Sequence, residues 1–218
     1  AIGYLAMYQN LTGSTNMAIG ERSLYTSTTA VGNVAIGRSA MQDATGTPTN
    51  NTMVGLQAGQ SSRGEGNVGI GASAARGATS LTTGNYNNYI GYFAGGGNGN
   101  DNVAIGFASM FTVGNSTGNV VIGRESMRYG GGNYNTFVGW NSGNNTSAIA
   151  TFSNNIILGG NSGTNITNGG TNNILIGYSQ NFQVPSGSNR LSIGNGIFGT
   201  GLSGTGTTVS TSAKIGIK

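Results

Sequence analysis

Asn33-Val34-Ala35-Ile36-Gly37 is one copy of a five-residue unit, Asn-x-x-(Ile/Val/Leu)-Gly, that recurs ten times in this chain of 218 residues. Successive copies lie 15 to 20 residues apart, so the chain is predicted to be an array of similar small units. Three imperfect copies extend the array, at residues 1–3, 191–194 and 213–216. A repeat of about 17 residues is too short for a helical hairpin or a strand-helix-strand unit, and it matches one coil of a β-solenoid.

Two columns of the repeat have separate structural interpretations. Glycine is predicted to form a corner after each strand, where the backbone turns with a positive φ. Coils stacked about 4.8 Å apart place each asparagine above the last, so the side-chain amides are expected to hydrogen-bond as a ladder along the axis. The corner glycines are Gly20, Gly37, Gly55, Gly71, Gly91, Gly106, Gly123, Gly139, Gly159 and Gly177. The ladder asparagines are Asn16, Asn33, Asn51, Asn67, Asn87, Asn102, Asn119, Asn135, Asn155 and Asn173.

The three residues between asparagine and glycine form a short predicted strand. The first and third alternate onto one face, as Val34 and Ile36 do, and they are mostly aliphatic. The middle residue points the other way and is also small or apolar in every coil, as with Ala35 and Phe137. A thin solenoid has one interior, so the second apolar face needs another surface to cover it. We therefore expect identical chains to cover the middle residues.

The predicted fold class is all-β, a parallel β-solenoid of about 13 short coils, assembled as a homotrimer. A closed cyclic arrangement is the usual symmetry for such an oligomer, and burial of one face in a tube favours three chains. Residues 1–218 are predicted to form a single repeat array. Residues 195–218 are predicted to form an atypical C-terminal coil that leads to a missing downstream region.

The composition argues against several functions. Histidine and cysteine are absent, which removes the commonest general base, nucleophile pairings and transition-metal ligands. The five acids are spread along the chain, with Glu21 and Glu125 on coils six steps apart. We therefore expect no catalytic residues, no cofactor, no metal site and no enzymatic activity. The nine basic residues form no cluster and no apolar span is present, so neither nucleic-acid binding nor membrane insertion is expected.

The residue after each corner glycine is the most informative candidate surface. It is charged in some coils and aromatic in others, which a core position does not tolerate. The candidate recognition residues are Tyr92, Phe107, Trp140 and Tyr178. These rings could stack against a host surface glycan or dock a receptor, but packing between chains, where aromatic residues are also enriched, is the favoured interpretation. The loops at residues 75–87, 143–153 and 195–211 are predicted to supply further contacts.

The segments Asn33–Met41 and Asn102–Met110 both follow the pattern Asn-x-Ala-Ile-Gly-x-x-Ala/Ser. The pattern resembles the repeats of trimeric fibrous adhesins, both the β-roll heads of trimeric autotransporter adhesins and the shafts of phage tail fibres that end in a self-cleaving intramolecular chaperone. The closing segment 211–218 is similar to the part that precedes the chaperone in the tail-fibre group. The longer coils and the lack of an anchor or a heptad stalk favour the tail-fibre relatives over the adhesin heads.

The resemblance implies a structural and adhesive fibre segment, extracellular on a virion tail fibre or a cell surface. It would act as a rigid trimeric spacer whose partners are its own copies and a host surface glycan or receptor, with multivalency raising the avidity. Alternatives are a self-assembling extracellular filament subunit and a bacterial adhesin head. A polysaccharide-cleaving enzyme and an ice-binding protein are weaker alternatives, since the acids are scattered and the threonines do not fall in register.

Overall fold

A computed structural model describes residues 1–76, 84–111, 114–144, 152–166, 170–181, 186–194, 196–200 and 214–217. The described residues contain thirteen short strands and no helix. The strands are β1 (Met17–Ile19), β2 (Val34–Ile36), β3 (Thr52–Val54), β4 (Val68–Ile70), β5 (Asn88–Ile90), β6 (Val103–Ile105), β7 (Val120–Ile122), β8 (Thr136–Val138), β9 (Ile156–Leu158), β10 (Ile174–Ile176), β11 (Leu191–Ile193), β12 (Ile197–Thr200) and β13 (Lys214–Ile217).

The first eleven strands form one parallel sheet in chain order. Equivalent residues of neighbouring coils lie side by side, so that Ala35 is paired with Ala18 below it and with Met53 above it. The same register holds through β11, although the spacing between corner glycines varies from 15 to 20 residues. Ile2 forms a parallel bridge to Ile19 and extends the stack at the N-terminal end. The predicted parallel β-solenoid is therefore confirmed for this part of the chain.

The end of the sheet departs from the expected run of about thirteen parallel coils. Strand β12 pairs antiparallel with β11, and β13 pairs antiparallel with β12. Gly194 occupies the corner position of its repeat, but its φ is 55°, whereas the earlier corners lie between 126° and 139°. The Gly196 N–H donates a 3.0 Å hydrogen bond to the carbonyl of Ile193, which closes a tight reversal. The chain therefore folds back at Gly194 instead of starting another coil.

The two faces of the strands are the reverse of what the sequence suggested. The middle residues are buried inside their own coil: Ala18, Ala35, Met53, Gly69, Tyr89, Ala104, Val121, Phe137, Ile157, Leu175 and Ser192. The first and third residues point outward, and in β1–β11 none of them is buried. The expectation that other chains cover the middle residues is therefore wrong, because a single chain already encloses them. It is the flanking aliphatic residues that remain uncovered.

Each corner combines a close approach of two backbones with an unusual turn. A Cβ built on Gly37 would lie 2.4 Å from the carbonyl oxygen of Gly55 in the next coil, so only glycine fits. After each corner from Gly20 to Gly159, two of the next four residues also have positive φ, as Ser39 (59°) and Met41 (51°) do. Left-handed backbone costs about 1 kcal/mol or more for such residues. Hydrogen bonds between coils hold this conformation: the Ser39 N–H donates to the carbonyl of Glu21, and the Met41 N–H donates to the carbonyl of Ala58.

Candidate functional site

The asparagine column forms a buried ladder between coils. The backbone N–H and the side-chain Nδ2 of Asn119 both donate to Oδ1 of Asn102, at 3.0 and 2.9 Å. Nδ2 of Asn119 also donates to the carbonyl of Gly132, and its Oδ1 accepts two hydrogen bonds from Asn135. The two donors and the acceptor oxygen of the amide are thus engaged within the chain. This column stabilises the stack and offers no free group to a ligand.

The ladder ends where the sequence pattern ends. Arg190 stands in the asparagine position of β11, and its backbone N–H still donates to Oδ1 of Asn173 at 3.1 Å. The side chain of Asn173 donates to the carbonyl of Gly187 at 3.0 Å, as the earlier asparagines do to their own loops. The backbone contact between coils therefore survives the replacement, while the side-chain amide does not continue.

A second polar ladder lies two residues before the asparagines, and the sequence analysis missed it. The backbone N–H of Asn85 donates to Oδ1 of Asn100, and that of Thr117 donates to Oδ1 of Asn133, both at 2.8 Å. The Asn133 N–H donates to Oγ of Ser153 at 3.0 Å. In this ladder the upper coil supplies the acceptor, whereas in the asparagine ladder the lower coil supplies it. The residues differ from coil to coil, so only their shared ability to accept a hydrogen bond marks the column.

The residues after the corners lie on the outside, as expected. Tyr92 and Phe107 are 48% and 42% exposed, and their rings stack at 5.6 Å with 12° between the planes. The guanidinium carbon of Arg124 lies 5.4 Å from the Phe107 centroid, on the next coil. Phe93 packs edge-on against Tyr92 at 4.4 Å and against Phe111 at 5.2 Å. Tyr92 and Phe107 are therefore packed against each other and against neighbouring side chains, although each remains more than 40% exposed.

Phe93 and Phe111 were not among the predicted site residues, because they lie outside the column that follows the corners. Phe93 is two residues after Gly91, at one of the positive-φ positions, and Phe111 is five residues after Gly106. A sign was present in the sequence: Tyr92, Phe93, Phe107 and Phe111 are four aromatic residues within two consecutive repeats.

Trp140 and Tyr178 differ from the stacked pair. They are 50% and 70% exposed, and within the described part of the chain neither takes part in a ring contact. Gly160 lies between them in the column, on the coil of β9. The structure therefore separates the four candidate aromatic residues into a mutually packed pair and two open rings on either side of a glycine.

The acidic residues do not converge. Oε1 of Glu125 lies 3.5 Å from Nη2 of Arg124 and 3.7 Å from Nη1 of Arg128. On a distant coil, Oδ2 of Asp43 accepts a 3.0 Å hydrogen bond from Nε2 of Gln60. Among the residues that the structure describes, no three acidic, histidine or cysteine side chains lie close enough together to hold a metal ion. The same residues include no helix that is long and apolar enough to cross a membrane.

Much of the predicted contact loops lies outside the described residues, namely 77–83, 145–151, 195 and 201–211.

Comparisons of the chain with known protein families, with curated proteins and with solved structures found no match.

Proposed function

We propose that this chain is a structural and adhesive fibre segment, in which three parallel copies pack their strand faces around a common axis and present the outer surface for recognition. The observation that carries the proposal is the uncovered aliphatic face of the solenoid. The resemblance of the repeats to tail-fibre shafts and adhesin heads supports the same role, and the extracellular location on a virion or cell surface follows from that role.

The uncovered face runs along all eleven parallel strands. Its exposed members include Met17, Ile70, Ile90, Ile105, Val120, Ile122, Val138, Ile156, Leu158 and Ile174, between 36% and 50% exposed. No charged residue occurs at either outward position in β1–β11. Ten strand spacings make the strip about 48 Å long, and its projected area is on the order of 500 Å². An apolar patch of this size lies at the upper end of what monomeric soluble proteins expose, and such patches often mark interaction sites.

Burial of this face would supply the association energy. Covering the remaining exposed surface of one isoleucine stabilises the assembly by on the order of 1 kcal/mol, before the cost of association is subtracted. With roughly twenty such side chains per chain, the energy gained by burial exceeds the cost of association. Because every coil presents the same two positions, parallel chains in register bring equivalent residues together along the full length. Three chains close this contact around one axis without leaving an open face.

Recognition in this assembly would come from repetition. Three copies of each outward residue lie at the same height on the fibre, so weak contacts at the exposed aromatic residues can act together. The rigid stack of coils fixes the spacing between them. The proposed partners are therefore other copies of this chain and a host surface glycan or receptor, with no catalytic role for the fibre itself.

The test is the mass of the purified chain in solution, measured by light scattering. One chain is 21.9 kDa, so a trimer is expected at about 66 kDa. The variant Ile122→Lys places a charge on the outward face and is expected to release monomers that keep their β-type circular dichroism. The control, Asn115→Lys, adds the same charge at an exposed position away from the strands and is expected to remain trimeric. A wild-type mass of one chain, or long polymers, would overturn the proposal.

A further inference from the structure

We propose that Trp140 and Tyr178, with Gly160 between them, form a binding slot for one pyranose ring of a neutral glycan. The proposal rests on the recognition role proposed above and names its ligand class. The three residues follow the corner glycines of β8, β9 and β10, so they occupy the same column on three successive coils. Trp140 and Tyr178 are two coil spacings apart, about 10 Å. A ring that contacts an aromatic face on each side at about 4 Å fits this separation.

Glycine is not required at position 160 by the backbone. Its φ lies outside the left-handed region, unlike that of the corner Gly159 before it. A Cβ at Gly160 would lie 3.5 Å from Cδ2 of Tyr178 and 3.7 Å from the carbonyl oxygen of Trp140, which are ordinary van der Waals distances. A side chain would therefore fit at Gly160 and would occupy the space beside the Tyr178 ring and the Trp140 backbone. Its absence is what keeps the slot open.

A row of polar side chains follows the slot residues in the chain. Asn141, Asn161 and Ser179 each follow a slot residue directly, and all three are at least partly exposed. Nδ2 of Asn141 donates to Oδ1 of Asn161 at 2.7 Å, and Nδ2 of Asn161 donates to Oγ of Ser179 at 3.1 Å. Oδ1 of Asn141 also accepts a hydrogen bond from Nδ2 of Asn144. The Nδ2 groups of Asn141 and Asn161 each donate one hydrogen bond within this partly exposed row, whereas Nδ2 of Asn119 in the buried ladder already donates to Asn102 and Gly132. Two aromatic faces beside a row of amide and hydroxyl groups match the mixed apolar and polar surface of a sugar ring.

Charge selects the class of sugar. The sequence contains no charged residue between Arg128 and Arg190, a stretch that includes the whole slot and both neighbouring loops. The nearest basic residue in the column is Arg124, one coil below Trp140 on the side away from Gly160. Its guanidinium lies over Phe107 and 3.5 Å from Oε1 of Glu125, so it is not directed at the carboxylate of a sialic or uronic acid in the slot. The slot therefore suits a neutral hexose or an N-acetylhexosamine, whose hydroxyl and amide groups need hydrogen bonds alone.

The other aromatic residues of the same column do not offer such a site. Tyr92 stacks on Phe107 at 5.6 Å, and Arg124 lies over Phe107 at 5.4 Å, so consecutive coils fill the space between the rings. No glycine interrupts the column there. Tyr92 and Phe107 thus pack between coils and stabilise the rod, whereas Trp140 and Tyr178 form an open pair that can receive a ligand.

Tryptophan fluorescence tests the proposal directly, because Trp140 is the only tryptophan in the chain. The wild-type protein is titrated with four soluble neutral oligosaccharides: chitotetraose, maltoheptaose, cellopentaose and mannopentaose. A saturable change in emission is expected with at least one of them. In the variant Gly160→Val the added side chain fills the slot, and the dissociation constant is expected to rise at least about tenfold. Tyr178→Ala is expected to weaken binding by a similar factor, because it removes one of the two ring faces.

The matched control is Ala72→Val, which adds comparable bulk to the same column on the coil of β4, far from the slot. It is expected to bind as the wild-type protein does. Light scattering on each protein separates the two proposals. A trimer with no saturable emission change would overturn the slot and leave the proposed fibre role intact. A monomer that binds sugar would overturn the fibre role and leave the slot intact. Unchanged affinity in Gly160→Val, or equal loss in Ala72→Val, also overturns the slot.

Discussion

Phe137 and Gly143 share one place in the interior of their coil: a Cβ built on Gly143 would lie 2.4 Å from Cε2 of the Phe137 ring. In seven coils the middle residue of the strand and the residue six positions later lie at facing positions inside the solenoid, and their sizes compensate. Large residues meet glycine in Met53 with Gly59, Tyr89 with Gly95, Phe137 with Gly143 and Ile157 with Gly163. Small residues meet large ones in Ala18 with Leu24, Ala35 with Met41 and Ala104 with Met110. The narrow interior is filled in either way.

This compensation predicts coupled mutational effects. Gly143→Ala is expected to lower the free energy of unfolding by about 2–4 kcal/mol, because the new Cβ overlaps the Phe137 ring at a position with a φ of 61°. Phe137→Ala is expected to cost about 3–5 kcal/mol through the cavity that it leaves. The double variant Phe137→Ala/Gly143→Met reproduces the pair found at Ala104 and Met110. It is expected to be more stable than the sum of the single losses by about 2 kcal/mol, measured by denaturant unfolding. Strict additivity would contradict the compensation.

The buried ladder predicts a large loss at a single amide. Asn119→Ala removes the acceptor for two hydrogen bonds from Asn135 and leaves the carbonyl of Gly132 without its side-chain donor. Each buried group left unpaired costs about 1–3 kcal/mol, so a loss of at least about 3 kcal/mol is expected. The control is Asn115→Ala, at an exposed asparagine, which is expected to shift the unfolding midpoint little. Equal stability of the two variants would show that the ladder contributes nothing.

The corners predict a contrast between two glycines of the same chain. A Cβ on Gly123 would lie 2.2 Å from the carbonyl oxygen of Gly139 on the next coil, and φ there is 136°. Gly123→Ala is therefore expected to disrupt the stacking of β7 on β8 and to lower the thermal midpoint strongly. Among the residues that the structure describes, no atom lies within 4 Å of a Cβ built on Gly114, and its φ is not in the left-handed region. Gly114→Ala is expected to be neutral or slightly stabilising. Similar midpoints for the two variants would contradict the close approach at the corner.

Tyr89 predicts a loss of stability at alkaline pH. Burial raises the pKa of its phenol well above the usual value near 10, and a hydrogen bond with Asn102 opposes this in part. In the unfolded chain the phenol ionises near pH 10, whereas in the folded chain it stays neutral. Below about pH 10 the phenol is neutral in both states and does not change the free energy of unfolding. As the pH rises from there toward the folded pKa, the free energy of unfolding falls by up to about 1.4 kcal/mol per pH unit.

Urea unfolding at several pH values between about 9 and 11 checks this expectation, since the range brackets the ordinary phenol pKa. Tyr89→Phe is expected to show a shallower decline with pH than the wild-type protein. Tyr86→Phe removes a phenol that is 54% exposed on the same coil, and it is expected to keep the wild-type decline. Identical pH dependence in all three proteins would rule out the buried phenol as the cause.

The positions of the strands, corners and ladder could be predicted from the repeat alone, because each depends on one residue type at a fixed place. The orientation of the strands could not. In β7 all three residues are aliphatic, Val120, Val121 and Ile122, so alternation with a period of two does not say which face is inside. The information lies in the inverse size relation between residues such as Met53 and Gly59, which becomes meaningful only once the coil is known to bring them together.

The candidate site was predictable to a similar extent. The exposed column could be identified because it holds charged residues in some coils and aromatic residues in others. The sequence does not distinguish the stacked Tyr92 and Phe107 from the open Trp140 and Tyr178. The role of Gly160 was hidden for a physical reason. In a chain with 42 glycines, one that serves no backbone requirement is recognised only by its φ and by the atoms around it.

The constant register of the strands has a consequence for how this rod can diversify. β4 and β5 pair in the same way as β5 and β6, although their corner glycines are 20 and 15 residues apart. The extra residues are absorbed between the corner and the next asparagine, and each doubling of such a segment costs only about 0.6 kcal/mol in closure entropy. Residues can thus be inserted into the loop of a single coil while the strands of the coils above and below keep their register.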